Sequence, residues 1–210
     1  MGMRLFPIAF VLALAACAPE AADKAESGNA AAPVSQPPPA APAEPARAPA
    51  TETALTADGW GPLRIGMSRA EIEAALGGDA DPAAVGGPDP EACDQFRPAR
   101  APQGMLVMVE DGKLARISLV RDADIATDRG ISLGDDAARV RAAYGDAIGA
   151  TPHAYLHPEG GYLTVWARGG GGEDVRDPAA RGIRYEIGED DRVTAIHAGG
   201  PAIQHVEGCL

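Results

Sequence analysis

Four histidines, three cysteines and a run of four glycines are the parts of this 210-residue chain whose side chains or backbone could do chemistry. His153-x-x-x-His157 has the spacing that puts two imidazoles on one helix face, as many zinc sites require. Pro152 and Pro158 bracket the pair and Gly160-Gly161 follows it, so no helix is expected there. A zinc or copper site would have to be assembled in three dimensions with His197 and His205; the alternative is histidines that face solvent or are hydrogen-bonded within the fold. Cys209 would join such a site only if Cys93 were unpaired. His205 and Glu207 could act as an acid/base pair, but any carboxylate beside a histidine fits that description. Gly169-Gly170-Gly171-Gly172 lacks the spacing and the following helix of a phosphate-binding loop and reads as a flexible loop. With no G-x-S-x-G, S-x-x-K, H-E-x-x-H or Walker sequence, no catalytic residue, metal ligand or cofactor is expected. An enzyme would need a site built from distant residues.

Charge narrows the partners. The chain carries 18 Lys and Arg against 30 Asp and Glu, a formal charge of −12, with no basic cluster, which argues against nucleic-acid binding. Removing the charges before residue 56 (Arg4, Lys24, Arg47; Glu20, Asp23, Glu26, Glu44, Glu52) leaves −10, so the acidity belongs to the rest of the chain.

The amino terminus sets the compartment. Arg4 precedes the apolar run Leu5 to Ala16, 12 residues long, where a membrane-spanning helix needs roughly 20. Residues 1–16 therefore read as a signal peptide rather than a transmembrane segment. Leu14-Ala15-Ala16-Cys17 resembles a bacterial lipobox, and that resemblance implies lipidation of Cys17, cleavage before it and anchoring to the membrane through lipid. Ala18 rather than Asp after the cysteine implies, by analogy with enterobacterial sorting, the outer membrane facing the periplasm. From Ala18 to Ala50, 21 of 33 residues are Ala or Pro and none is aromatic, so residues 17–55 read as a lipidated Cys17 followed by a disordered linker. In polyproline II geometry, at about 3.1 Å per residue, it would hold a domain up to roughly 100 Å from the membrane.

Residues 56–210 are long enough for one core, and they repeat internally. Ile65 to Gly77 aligns without gaps on Leu133 to Gly145 at an offset of 68, with Gly66, Ala70, Ala74, Ala75 and Gly77 identical in the two copies. In each copy Ser68 or Asp136 can accept at the N-cap, Ser68-x-x-Glu71 is a capping box, and Gly77 or Gly145 can close the helix. Ile72, Ala75 and Leu76, and Val140, Ala143 and Tyr144, form one buried stripe each. Met105 to Glu110, Asp111-Gly112 and Lys113 to Val120 predict a hairpin on a type I′ turn. Tyr162 to Trp166, Gly182 to Ile187 and Arg192 to Ala198 predict further strands. Lys113 to Ile117 matches Arg192 to Ile196 at an offset of 79, which puts about 11 extra residues in the second copy, within the Gly169 to Pro178 loop.

The expected fold is α+β: two tandem repeats, about 59–126 and 127–210, each a short helix unit on an antiparallel hairpin or sheet. With Cys17 used for lipid, Cys93 and Cys209 remain as an even pair in an oxidising compartment, expected to bridge the loop after the first helix to the carboxyl terminus. Two free thiols or a redox pair are the alternatives. Tyr144 and Tyr185 fall on buried faces, whereas Trp60, Tyr155, Tyr162 and Trp166 lie in loops or strands where an exposed sheet face could use them to bind a partner.

Leu63-Arg64-Ile65-Gly66-Met67-Ser68-Arg69-Ala70-Glu71-Ile72-Glu73-Ala74-Ala75-Leu76-Gly77 resembles the I-x-x-G-M-T-x-x-E-V-x-x-x-L-G opening of the BamE (SmpA/OmlA) lipoproteins, and equally the repeats of the secreted beta-lactamase inhibitory protein. The first resemblance implies a lipoprotein with one helix-pair-on-sheet unit; the second implies two such units forming a concave protein-binding face. BamE proteins have neither a second copy nor this tether. Together these readings point to a non-catalytic, lipid-anchored lipoprotein of the cell envelope that binds an envelope protein partner and no nucleic acid. The alternatives are a periplasmic ligand- or metal-binding protein, or an inhibitor of an envelope enzyme.

Overall fold

The computed structural model describes residues 53–84, 86–172 and 174–209. The signal peptide, Cys17 and the Ala/Pro linker up to residue 52 lie outside the described residues. Leu55 is already fully buried, its amide donating to the Ala126 carbonyl at 2.9 Å, so the packed body includes it.

The architecture is α+β and dominated by strands. A short hairpin of β1 (Gly59–Trp60) and β2 (Leu63–Arg64) precedes helix α1 (Arg69–Leu76). Then come β3 (Cys93–Phe96), β4 (Met105–Glu110) and β5 (Lys113–Val120), helix α2 (Ala137–Tyr144), and β6 (Ile148–Pro152), β7 (Gly161–Arg168), β8 (Arg181–Ile187) and β9 (Val193–Gly199). Strands β3 to β9 make one seven-stranded sheet in the order β3-β4-β5-β9-β8-β7-β6, every neighbour antiparallel.

Local chemistry accounts for most of these elements. The β4–β5 turn has φ of 48° at Asp111 and 72° at Gly112, the left-handed pair that a type I′ turn requires. Helix α1 starts on the reciprocal Ser68/Glu71 box, in which the Ser68 amide donates to Glu71 Oε2 at 2.7 Å. Helix α2 departs from the expected cap: Asp136 makes no side-chain cap bond, and its carboxylate lies 3.5 Å from Arg192 instead. The backbone fixes each helix entrance to a strand in the same way. Gly66 N donates to Leu114 O and Leu114 N to Met67 O, at 2.8 and 2.7 Å; Gly134 N donates to Val193 O and Val193 N to Asp135 O, at 2.8 and 2.9 Å.

Both helices cover one face of the sheet. Ile72, Leu76 and Val140 pack with Val107, Leu114, Ile117, Leu163, Tyr185 and Ile196 in one apolar core. No helix among the described residues is long and apolar enough to cross a membrane.

The second face is covered at its centre by the carboxyl-terminal segment. After β9 a 3-10 turn, Pro201–Gln204, lies against β5, β8 and β9 with Ala202 and Ile203 buried. The chain then reaches Cys209, at disulfide distance from Cys93 with the two Cα atoms 5.4 Å apart. Cys93 opens edge strand β3 rather than lying in a loop after α1, because Cys93–Phe96 pairs with β4 over Val107 to Glu110.

Candidate functional site

The outer face carries polar residues because strand alternation sends Ile183, Tyr185 and Ile187 inward and Arg184 and Glu186 outward. In register with them stand Ser118 on β5, His197 on β9 and Tyr162 on β7. These strands bring together a connected polar cluster. His153 Nδ1 accepts from the amides of Tyr155 and Leu156, at 3.0 and 3.2 Å, which leaves the proton on Nε2 to be donated to Glu186 Oε1 at 3.0 Å. His197 Nδ1 meets Ser118 Oγ at 2.9 Å, and its Nε2 lies 3.8 Å from Glu186 Oε2.

The electrostatics follow from this packing. The His197 imidazole and then that of His153 hold the Glu186 carboxyl down at about 2, against the opposing effect of burial. Burial pushes His197 down to about 4, although Glu186 pulls it up, so the ring is neutral at pH 7. Burial also lowers Arg184, and lowers Arg116 to about 10 with the neighbouring Arg184 charge adding to it.

Ser118, His197 and Glu186 are a hydroxyl, an imidazole and a carboxylate in sequence across β5, β9 and β8. Ser118 is 3% exposed, lines neither groove described below, and touches the ring nitrogen of a histidine that is itself largely buried. The cluster anchors the carboxyl-terminal segment through the arginines beside it. Arg116 donates to the carbonyls of Ala202 and His205, at 3.2 and 2.8 Å, and to Gln95 Oε1 at 2.8 Å. Arg184 donates to the Gln204 carbonyl at 2.8 Å, and its guanidinium lies 3.7 Å from the Tyr162 ring centre. Gln204 in turn exchanges two hydrogen bonds with the Val175 backbone, at 2.7 and 3.0 Å, pinning the loop between β7 and β8.

Where this cover ends, beside β6, the surface opens on both faces. On the outer face a groove of about 690 Å³ is lined by Thr151, Thr164, Trp166, Gly170, Arg184 and Gln204 among others. On the helix face a groove of about 760 Å³ runs between α2 and β6, with Asp136, Arg141, Ala150, Glu159, Leu163 and Asp191 on its walls.

The four aromatic residues singled out in the sequence take different places. Trp60 is half-buried in β1 with its indole Nε1 donating to Thr53 O at 2.8 Å. Tyr155 is 66% exposed in the turn after β6. Tyr162 is buried, stacked on His153 with ring centres 4.8 Å apart. Trp166 is half-buried on the outer-face groove and sits opposite Gly182, where a Cβ would come within 2.8 Å of the indole. Gly170 also packs on this ring, so part of the glycine run serves to seat Trp166.

Of the four histidines, His153 and His197 meet at Glu186, while His205 pairs with Glu110 at 3.2 Å rather than with Glu207. His157 lies in the turn before β7 on the helix-face groove. Among the described residues, no group of three or more His, Cys, Asp or Glu converges on a possible metal position. Ser118, Glu186 and the two clamping arginines were not singled out by sequence. The alternation of β8 marks Arg184 and Glu186 as outward-facing, but nothing in a local window reports that the carboxyl terminus folds over them. Compared with protein-family models, curated proteins and solved structures, the chain matches none of them.

Proposed function

We propose that this chain is a non-catalytic, lipid-anchored lipoprotein of the cell envelope, at the outer membrane facing the periplasm, whose α+β domain binds a protein partner at the β6 end of its sheet. The observation that carries this reading is the open pair of grooves flanking β6, one on each face of the sheet, the outer one seating a half-buried tryptophan beside the carboxyl-terminal Gln204. Half-exposed tryptophans set in a concave surface are favoured binding anchors. The burial of Ser118 and His197 supports the non-catalytic part.

The anchoring part rests on the lipobox-like Leu14 to Cys17. In the same proposal the domain is a tandem of two repeats of the BamE-like or inhibitory-protein-like kind. The matched hydrogen bonds at the two helix entrances and the mirrored strand order on either side of the β5–β9 pair support it. The Gly169–Pro178 insertion would then fall between β7 and β8.

The test is capture from solubilised envelope by the full chain, beside a Trp166→Ala variant. Retention of one protein by the wild type and its loss with the variant is the expected result. Equal retention by both would remove the β6 end from the reading, and retention of nothing would remove protein binding itself. Radiolabelled fatty acid should enter the wild type and not Cys17→Ala.

A further inference from the structure

The turn that joins β6 to β7 is held by an imidazole. His153 follows β6 directly and is 6% exposed. Its Nδ1 accepts from the amides of Tyr155 and Leu156, two and three residues on, at 3.0 and 3.2 Å, as the side chain of an Asx turn does. The His153 amide donates to the Gly160 carbonyl at 3.2 Å, and the Gly160 amide donates to the Leu156 carbonyl at 2.6 Å, closing the turn on itself. Gly160 is packed so closely that a Cβ there would lie 2.8 Å from that of Leu156 and 3.2 Å from that of His153. His157, Pro158, Glu159 and Gly160 of this turn form one wall of the helix-face groove, which Asp136, Arg141 and Asp191 also line.

Two hydrogen bonds accepted by one ring nitrogen require that nitrogen to be unprotonated. A second proton would give an imidazolium, which donates from both nitrogens and accepts at neither, so no rotation of the ring restores an acceptor to the two amides. The other end of the ring has the opposite preference. Nε2 donates to Glu186 Oε1 at 3.0 Å, and that bond gains from a positive ring. The carboxylate keeps its charge in mild acid, since it is held down at about 2. The His197 imidazole, 3.8 Å from the other carboxylate oxygen, stays neutral until about pH 4, and the Arg116 charge acts on it from β5. The Arg184 guanidinium lies on the Tyr162 ring, which itself stacks on His153. Within the turn His157 and Glu159 are the other ionisable groups, and the Tyr155 ring centre lies 6.2 Å from that of His153.

We propose that His153 is an acid-operated latch: its neutral Nδ1 closes the turn at residues 154–160, and a second proton on the ring releases that turn, and with it one wall of the helix-face groove, while the ring stays on Glu186. The proton and the two amides compete for the same lone pair, so acid shifts the turn toward its open form. Opening displaces His157 and Glu159 from the groove they line. His197 differs in kind: its ring nitrogens meet the side chains of Ser118 and Glu186, so its protonation frees no main-chain amide. The latch is a property of the free chain and operates whatever the groove takes.

The test follows the full chain by NMR as the pH is lowered from about 7.5 to about 5, across the ordinary imidazole range. The His153 ring should carry its proton on Nε2 alone at the start, and the amide signals of Tyr155 and Leu156 should move with the same midpoint as the Nδ1 signal. His153→Asn sets a non-titrating oxygen where Nδ1 stands and should keep the turn closed throughout. The hydrogen-exchange rate of these two amides, taken as the ratio of wild type to His153→Asn, should therefore rise at least about tenfold over the same range. Acid weakening through His197 is common to both proteins and cancels in that ratio. His157→Gln should show the wild-type rise. A proton on Nδ1 at the start, amides that stay in place while the ring is protonated, a ratio that does not rise, or loss of the rise in His157→Gln would each overturn the proposal. The ring and amide titrations need only the wild type, so a misfolded variant leaves the test intact.

Discussion

The guanidinium of Arg116, on β5, donates to the main-chain carbonyl of His205 at 2.8 Å, joining the centre of the sheet to a segment 89 residues further along the chain. With the bonds to Ala202 and Gln95, this makes a buried arginine the main polar fixture of the carboxyl-terminal cover. Arg116→Met keeps the length of the side chain but leaves those acceptors unpaired. It should lower unfolding free energy by about 2 to 4 kcal/mol and speed hydrogen exchange at Ile203 and His205. A loss below about 0.5 kcal/mol, the range of ordinary surface substitutions, would contradict this role.

Acid should weaken the same face. His197 is held neutral by burial, with its proton affinity down at about 4 against an ordinary 6.5. The unfolded chain therefore takes up a proton as pH falls through 6.5, whereas the folded chain does so only near 4, so stability declines across that window. Glu186, held at about 2 against 4.5, adds stability above pH 4.5 that is lost as pH falls toward 2. Between pH 6.5 and 4 the wild type should lose about 2 to 3 kcal/mol more than His197→Gln in denaturant titrations. Parallel profiles for the two proteins would show that His197 does not carry the effect.

The two helix starts should respond unequally. Ser68 shares a reciprocal cap with Glu71, whereas Asp136 caps nothing with its side chain. Ser68→Ala should cost about 1 kcal/mol, and Asp136→Ala no more than about 0.5 kcal/mol, since only an exposed ion pair with Arg192 is lost. Thermal unfolding of the pair checks this, and equal losses would contradict it.

Reduction of Cys93–Cys209 should destabilise the domain by about 2 to 4 kcal/mol, below the roughly 4.7 kcal/mol that loop entropy alone gives for a loop of this size. The Arg116 and Arg184 clamps lie between β9 and the bridge and should keep the 3-10 turn in place. Retained protection of Ile203 after reduction is the expected readout. Loss of the whole cover on reduction would show that the bridge, not the arginines, holds it.

Elements with local signals were legible in the sequence: the Asp111-Gly112 hairpin, the two helices with their Ile72 and Val140 stripes, and the alternating β8. The edges were not. Cys93 to Phe96 carries a single large apolar residue, and Ile148 to Pro152 contains Gly149 and Pro152, so neither reads as a strand until the sheet supplies a neighbour. Ser118, Glu186 and His197 sit on three strands, and only the pairing of β5 and β8 with β9 brings them together. The outer-face groove beside β6 is bounded by Gln204 of the carboxyl-terminal segment and the helix-face groove by α2, which is a property of tertiary packing and not of any window of residues.

The most direct measurement is photo-crosslinking in intact envelope from two positions, Thr164 in the outer-face groove and Asp111 in the distant hairpin turn. Binding at the β6 end predicts one discrete protein adduct from Thr164 and none from Asp111. No adduct at Thr164, or the same adducts from both positions, would contradict it.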